Sequence, residues 1–161
     1  MAVDAFLKID GIEGESPDDK HGKEIEVQSY SWGLSNSGNA ASGGGAGTGK
    51  ASLQDFHFTM TTGKSAPKLF AACVTGTHIP SAVLTVRKSG GGSDPGQEFL
   101  IFTFTDILIS SYQLGGGGDV PQDSCSFNYA KVQMAYAPQK SDGTLDAAIK
   151  TTWDLKLNKK T

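Results

Sequence analysis

A glycine-rich run at residues 44–50, GGAGTGK, has the residue types of a phosphate cradle. Its seven positions fit the pattern in which backbone N–H groups wrap phosphates and a lysine reaches them. The eighth position should supply a hydroxyl for magnesium, and it is Ala51. A phosphate loop also follows a buried strand and opens a helix. Here the polar LSNSGNAAS precedes the run and the alternating ASLQDFHFT follows it. Nucleotide binding is therefore not supported. Cys73 and Cys125 are the two cysteines, and neither belongs to a CxxC pair, so zinc and dithiol redox chemistry have no footing. Both are read as free thiols, with Cys73 packing as a small apolar group. His21 and His78 sit in turn-like contexts without spaced partners, and His57 should face outward beside Asp55. No G-x-S-x-G elbow is present. Asp18, Asp19, Asp94, Asp119, Asp123 and Asp142 fall in turns or on polar faces. Asp106 interrupts a strongly apolar stretch. It should meet a hydrogen-bond partner or the strand end, because an unpaired buried carboxylate is costly. No catalytic residue, metal ligand or cofactor site is assigned, and no enzyme is expected.

The elements that must carry these residues are mostly strands. Residues 24–60 organise the chain. An alternating segment places Tyr30, Trp32 and Leu34 on one face and Ser29, Ser31, Gly33 and Ser35 on the other. A phase change between Val27 and Tyr30 predicts a bulge or bend. A long Gly/Ser-rich loop at about 36–50 follows, and long loops in compact domains are commonly functional or disordered. The next strand turns Phe56, Phe58 and Met60 one way and Asp55, His57 and Thr59 the other. Before all this, Val3, Ala5, Leu7 and Ile9 alternate in a first strand.

One helix is expected over residues 65–76, with Ser65 as N-cap, Pro67 in the first turn and Gly76 at C′. Its apolar stripe is Ala66, Leu69, Phe70 and Cys73. Residues 99–109, FLIFTFTDILI, read as the most buried strand. Residues 125–136 form a long strand with a phase shift near Tyr129, and Trp153, Leu155 and Leu157 face inward on the last one. About eight strands with turns at regular spacing and one helix predict a barrel or sandwich.

Composition excludes other classes. The chain has 161 residues, enough for a sizeable core and read as one domain over 1–161, with 37% apolar residues and 21 glycines. A net charge of −3 gives no basic footprint for nucleic acid. No apolar run reaches the length that spans a bilayer, so membrane insertion is not expected. The opening MAVDAFLKID lacks the pattern of a cleaved export signal.

With the whole chain in view, the sequence resembles the Hcp family, the tube-forming protein of bacterial type VI secretion systems. The matching pieces are FLKIDGIEGES at 6–16, EIEVQSYSWGLS at 24–35 and LQDFHFT at 53–59 after the glycine-rich loop. SAPKLFAACVTGTHIPSAVLTVRKSGG at 65–91, FTFTDILISSY at 102–112, YAKVQMAYAPQKSDG at 129–143 and the terminal TTWDLKLN complete the set. The order and spacing of these pieces make the resemblance specific over nearly the full length.

The resemblance implies a mainly β fold, a barrel of two antiparallel sheets flanked by one helix. It implies hexameric rings that stack into a tube inside a contractile sheath, capped by a spike protein. Such rings carry and protect effectors in the lumen. The protein would start in the bacterial cytoplasm and be secreted without a cleaved signal peptide. Two expectations about particular residues follow. Ser29, Ser31, Gly33 and Ser35 are expected to line the lumen and face cargo, because the opposite face should be buried. Asn36, Asn39, Gly43, Gly44, Gly45, Thr48 and Lys50 are expected to contact an adjacent ring or subunit. The alternative reading is a secreted carbohydrate- or cell-surface-binding β-sandwich, though Trp32 and Trp153 both lie in alternating strands. A small hydrolase would need convergent polar groups in a pocket, and no spacing supplies them.

Overall fold

The computed structural model describes residues 3–38, 50–89 and 96–161. Eleven strands and one helix follow in the order β1 (Val3–Ile9), β2 (Ile25–Glu26), β3 (Ser29–Ser31), β4 (Leu34–Asn36), β5 (Ala51–Leu53), β6 (Phe56–Thr61), α1 (Ala66–Thr75), β7 (His78–Lys88), β8 (Gln97–Gly117), β9 (Asp119–Tyr136), β10 (Ile149–Asp154) and β11 (Lys159–Lys160). The mainly β fold with one helix is as expected. Nine strands form one antiparallel sheet with the path β11-β10-β9-β8-β7-β1-β2, while β4 and β5 pair separately.

The sheet forks at β9. Along one edge β9 pairs with β8 nearly throughout. Its other edge is shared, with Phe127 to Gln122 pairing β6 and Tyr136 to Lys131 pairing β10. The core-facing positions step by two through Asp123, Cys125, Phe127 and Tyr129, then jump to Val132. The phase shift near Tyr129 is therefore the point where β9 passes from one neighbour to the other. A bulge in β8 between Ile109 and Ser111 adjusts the register opposite.

The other phase change also has a location. β2 pairs with β1, whereas β3 pairs with β6. Between them the Val27 N–H donates to Ala5 O and the Gln28 N–H to Thr59 O, both at 2.9 Å. One segment thus crosses from β1 to β6, and the expected bend sits at the crossing. Among the described residues the ladder does not close into a continuous barrel; the wall is sandwich-like, bridged by this segment.

The interior is aromatic. Phe56, Phe58, Phe104 and Phe127 are at most 1% exposed. Phe127 lies 5.0 Å from Phe104 and 5.2 Å from Phe56 between ring centroids, in tilted and edge-on geometries that suit ring quadrupoles. Leu7, Leu69, Leu84 and Ile107 complete the same core.

Several expected positions fall elsewhere. On α1 the buried residues are Ala66, Leu69 and Ala72, and Phe70 is 59% exposed. Consecutive helical residues are 100° apart, so a ten-residue helix laid on a sheet buries Leu69 and turns Phe70 away. Ser65 precedes the helix, but its side chain makes no cap bond, its hydroxyl lying 3.7 Å from the Met60 sulfur instead. Gly76 is left-handed at φ 65°, and its N–H reaches Ala72 O, as a C-terminal glycine should. Trp153 is half-buried, but Leu155 and Leu157 are exposed. The alternation breaks because Asp154 Oδ1 accepts the Leu157 N–H and turns the chain into β11. On β8, Phe102, Phe104, Ile107 and Ile109 are buried while Phe99, Leu100 and Ile101 are half-buried, so the deepest strand is shared with β9.

Candidate functional site

The predicted cargo face was built on the outward positions of the crossing segment. Inward Phe56, Phe58 and Met60 force His57, Thr59 and Thr61 outward on β6, and antiparallel register carries that face across three more strands. Ser29, Thr59, Ser124 and Gln113 form one cross-strand row, and Ser31, His57, Ser126 and Ser111 the next. Thr61 and Gln122 begin a third. Ser29, Ser31, His57, Thr61, Gln113, Gln122 and Ser124 are exposed. Ser29 Oγ and Thr59 Oγ1 lie 2.5 Å apart, and Gln28 Nε2 donates to Thr61 Oγ1 at 2.9 Å. Ser126 is buried under the hydroxyls of Ser110 and Ser111, at 2.8 and 2.6 Å. At the rim, Asp55 accepts from Ser110 at 2.6 Å.

This is a wall of hydroxyls and amides that can donate and accept. It offers hydrogen bonds to polar polypeptide and nothing aimed at bond cleavage. Thr59, Ser111, Gln113, Gln122 and Ser124 are the members that sequence reasoning missed, since only long-range register brings them beside Ser29 and Ser31.

The four predicted residues do not stay together. Ser35 pairs with Ser52 in the separate two-stranded sheet, and Gly33 lies between strands, its carbonyl accepting the Gln54 N–H at 2.9 Å. The premise of a buried opposite face is also corrected. Tyr30 is 39% and Leu34 55% exposed. Tyr30 stacks on Phe56 at 6.3 Å but stays partly open at the sheet edge, while Trp32 is half-buried edge-on to Phe102 at 5.3 Å, with its indole N–H donating to Tyr129 Oη at 2.6 Å. The reason is local. β3 ends at Ser31 and the chain departs into β4 and β5, which pair with each other outside the main sheet.

Of the predicted contact loop, Asn36 ends β4 and accepts the Gly38 N–H at 2.7 Å, and Lys50 is exposed. Asn39, Gly43, Gly44, Gly45 and Thr48 lie outside the described residues, as does Asp94. Ala51 opens a strand where a phosphate loop would open a helix.

Several titratable groups elsewhere are engaged in structure. Arg87 grips Asp18 through two bonds of 2.9 and 2.5 Å, and Asp4 lies 3.6 Å away. The guanidinium holds the Asp18 carboxyl well below the usual carboxylate range. Arg87 also covers Phe6 at 4.8 Å, and His21 stacks on that ring at 4.6 Å. The two nitrogens of His21 meet Glu24 at 2.9 Å and Glu98 at 2.7 Å.

Asp106 has the expected partners, His78 Nδ1 at 2.9 Å and Lys156 Nζ at 3.0 Å, and these hydrogen bonds lower its pKa. It occupies a left-handed φ of 55°. Asp123, read as a polar-face carboxylate, is instead 1% exposed, accepting from Thr62 at 2.8 Å and Tyr112 at 3.1 Å. Burial first, then the bond to Asp123, pushes the Tyr112 pKa up to about 12. Cys125 is likewise pushed up to about 12 by burial. Cys73 is half-buried, and both thiols are free. His57 is exposed, as expected. Among the described residues no cluster of three His, Cys, Asp or Glu could hold a metal ion. Nor is any helix of them long and apolar enough to cross a membrane.

Comparison with known proteins decides the family. The family model described as type VI secretion system effector, Hcp, matches residues 6–136. The chain belongs to the Hcp family. Protein hcp1 of Pseudomonas aeruginosa is 45% identical over 161 residues, covering 98% of each chain. A solved structure of a type six secretion system protein superposes with TM-score 0.89 at 36% identity, over 99% of this chain and all of that one. Hcp1 from Salmonella typhimurium gives 0.78 at 34% identity over the full length of both. This Hcp chain is thus a secreted, β-rich type VI protein of a family that supplies structural parts and not enzymes.

Proposed function

We propose that this Hcp chain is a structural tube component and effector carrier. Six copies make a ring, rings stack into the inner tube, and the tube is exported on firing with effectors in its lumen. The observation that carries the reading is family membership across nearly the whole chain, at 45% identity to Protein hcp1. Its partners are other copies of itself, the spike protein, the contractile sheath and effector proteins. It acts without a cofactor and without catalysis of its own.

The polar wall centred on Ser29 and Ser31 is assigned to the lumen, where hydroxyls and amides hold cargo by many individually weak hydrogen bonds. The segment 36–50, with Asn36 and Lys50 at its described ends, contacts the neighbouring ring. It can do so at little cost to the protomer, since loop-closure entropy varies slowly with length.

The test is electron microscopy of the purified protein with native mass by light scattering. Hollow rings at six times the 16.8 kDa chain mass are expected. Ser31→Gln should keep the rings and lose co-purifying effector. A stable monomer at every concentration would remove the tube reading, and unchanged cargo retention in the variant would remove the lumen assignment.

A further inference from the structure

Much of the polar wall on β3, β6, β9 and β8 satisfies itself. Ser29 bonds to Thr59, Gln28 donates to Thr61, and Ser126 meets the hydroxyls of Ser110 and Ser111. One directly opposed pair differs. Ser31 on β3 stands across from His57 on β6. Both are exposed, and among the described residues neither side chain has a hydrogen bond or ion pair inside the protomer. Opposed cross-strand residues hold their Cβ atoms about 4.5–5.5 Å apart, so a hydroxyl and an imidazole converge on one patch of surface. The other two histidines are used by the fold, His21 between Glu24 and Glu98 and His78 on Asp106. His57 is left facing outward with its ring nitrogens free.

The charges around His57 are few. Its neighbours are Ser29 and Ser31 on β3, Ser124 and Ser126 on β9, and Ser111 and Gln113 on β8, none of them ionisable. On its own strand Thr59 follows it, and Asp55 precedes it at the rim of the wall. Asp55 is the one carboxylate here, and Ser110 donates to it at 2.6 Å. Imidazole is the side chain whose charge changes between pH 5 and 8. With His57 neutral, the wall carries the charge of Asp55. With His57 protonated, that charge is cancelled. In a six-membered ring this pair of states is repeated by every copy around one lumen.

We propose that His57, with Ser31 opposite it, is the specificity-determining site of the wall and takes carboxylate side chains of the cargo. The proposal rests on the lumen reading above and adds to it a class of cargo, acidic polypeptide, and a dependence on pH. A carboxylate has two oxygens, and the site offers two donors, the imidazolium N–H and the Ser31 hydroxyl. Hydrogen bonds between ionised partners are stronger than those between neutral ones, so this pair outweighs any single hydroxyl contact elsewhere on the wall. The sign of the pH effect follows from both charges. Protonation of His57 adds an attraction for carboxylates and offsets the repulsion from Asp55. Acidic cargo is therefore held more tightly as the pH falls through the imidazole range, and basic cargo less tightly. Each exposed ion pair is weak alone, and repetition around the lumen supplies the rest.

Probe peptides test it. Polyglutamate and polylysine of equal length, carrying the same uncharged dye, are titrated with purified rings and read by fluorescence anisotropy. Polyglutamate should bind wild-type rings about tenfold more tightly near about pH 6 than near about pH 8, because several weak ion pairs act together. Polylysine should show the opposite trend. His57→Gln changes only an exposed side chain, so light scattering should still give rings. Its pH dependence should vanish although His21 and His78 remain. His57→Lys should hold polyglutamate at both pH values and release it in high salt. The same pH response in His57→Gln, or wild-type rings that ignore polyglutamate at the lower pH, would overturn the assignment of His57. Loss of co-purifying effector in Ser31→Gln would in that case still uphold the lumen reading. A wild-type chain that never forms rings would overturn both.

Discussion

The aromatic interior and the patch under the 13–24 loop hold the molecule by different physics. Inside, Phe56, Phe58, Phe102, Phe104 and Phe127 meet at several angles, and their contacts are dominated by the burial of apolar surface. On the outside of β1 and β7, one flat stack of Arg87, Phe6 and His21 is pinned at its rim by Asp18, Glu24 and Glu98. The first kind of packing contains no ionised partner and so does not depend on protonation. The second depends on ionised partners and on geometry, and it fastens a loop otherwise held by backbone bonds such as Gly14 N–H to Lys23 O and by the exposed Lys64–Glu13 pair. The difference teaches where this fold is robust and where it is conditional.

The sharpest way to break the comparison is Phe127→Ala. The ring is fully buried against Phe56, Phe58 and Phe104, so a cavity opens that neighbours on separate strands cannot fill. A loss of about 3–5 kcal/mol in urea melts is expected. A loss below about 1 kcal/mol would show a core that relaxes freely.

Next is Arg87→Met, which keeps apolar cover on Phe6 but strands Asp18. Removing one partner of a buried pair costs about 3–5 kcal/mol, and water at the half-buried Asp18 should reduce this to about 2 kcal/mol. The loop should then open locally, seen as faster amide exchange at Gly14 and Ser16, whose N–H groups bond to Lys23 and Glu24 carbonyls. Unchanged exchange there would show that the backbone bonds alone fasten the loop.

The smallest effect is a pH dependence confined to the patch. The folded Asp18 pKa lies below its unfolded value, because Arg87 favours the ionised form. Its stabilisation is complete above the unfolded carboxylate pKa of about 3.9 and is lost as pH falls toward the folded value. Between about pH 5 and pH 2 the wild type should therefore lose more thermal stability than Asp18→Asn, and above pH 5 the two melting curves should run parallel. Parallel curves in acid as well would place the acid sensitivity elsewhere.

The two regions also differ in how far they could be read in advance. Phe56, Phe58 and Met60 announce their inward face because a strand with one buried side alternates strictly. Phe6 does not. It lies on the side of β1 opposite Leu7 and Ile9, and it is buried only because Arg87 and His21 arrive from elsewhere in the chain. The candidate site divides in the same way. Ser29 and Ser31 were visible as a polar run, but Thr59, Ser124 and Gln113 join them through pairing across many tens of residues. Tyr30, Leu34, Phe70 and Leu157 were read as buried because they are apolar and in phase. A lone protomer leaves them exposed, since phase says which way a side chain points and not what stands in front of it.

Cys125 has a consequence of another kind. A protein that leaves the cell meets an oxidising exterior, and thiol–disulfide exchange requires the thiolate. With only 1% of its surface exposed and a pKa pushed up to about 12, Cys125 stays protonated and out of reach of small disulfides. The strand that carries it is the one on which both neighbouring branches of the sheet converge. Mixed-disulfide formation at that point would wedge the fork apart, so the buried thiol keeps the most connected strand chemically silent.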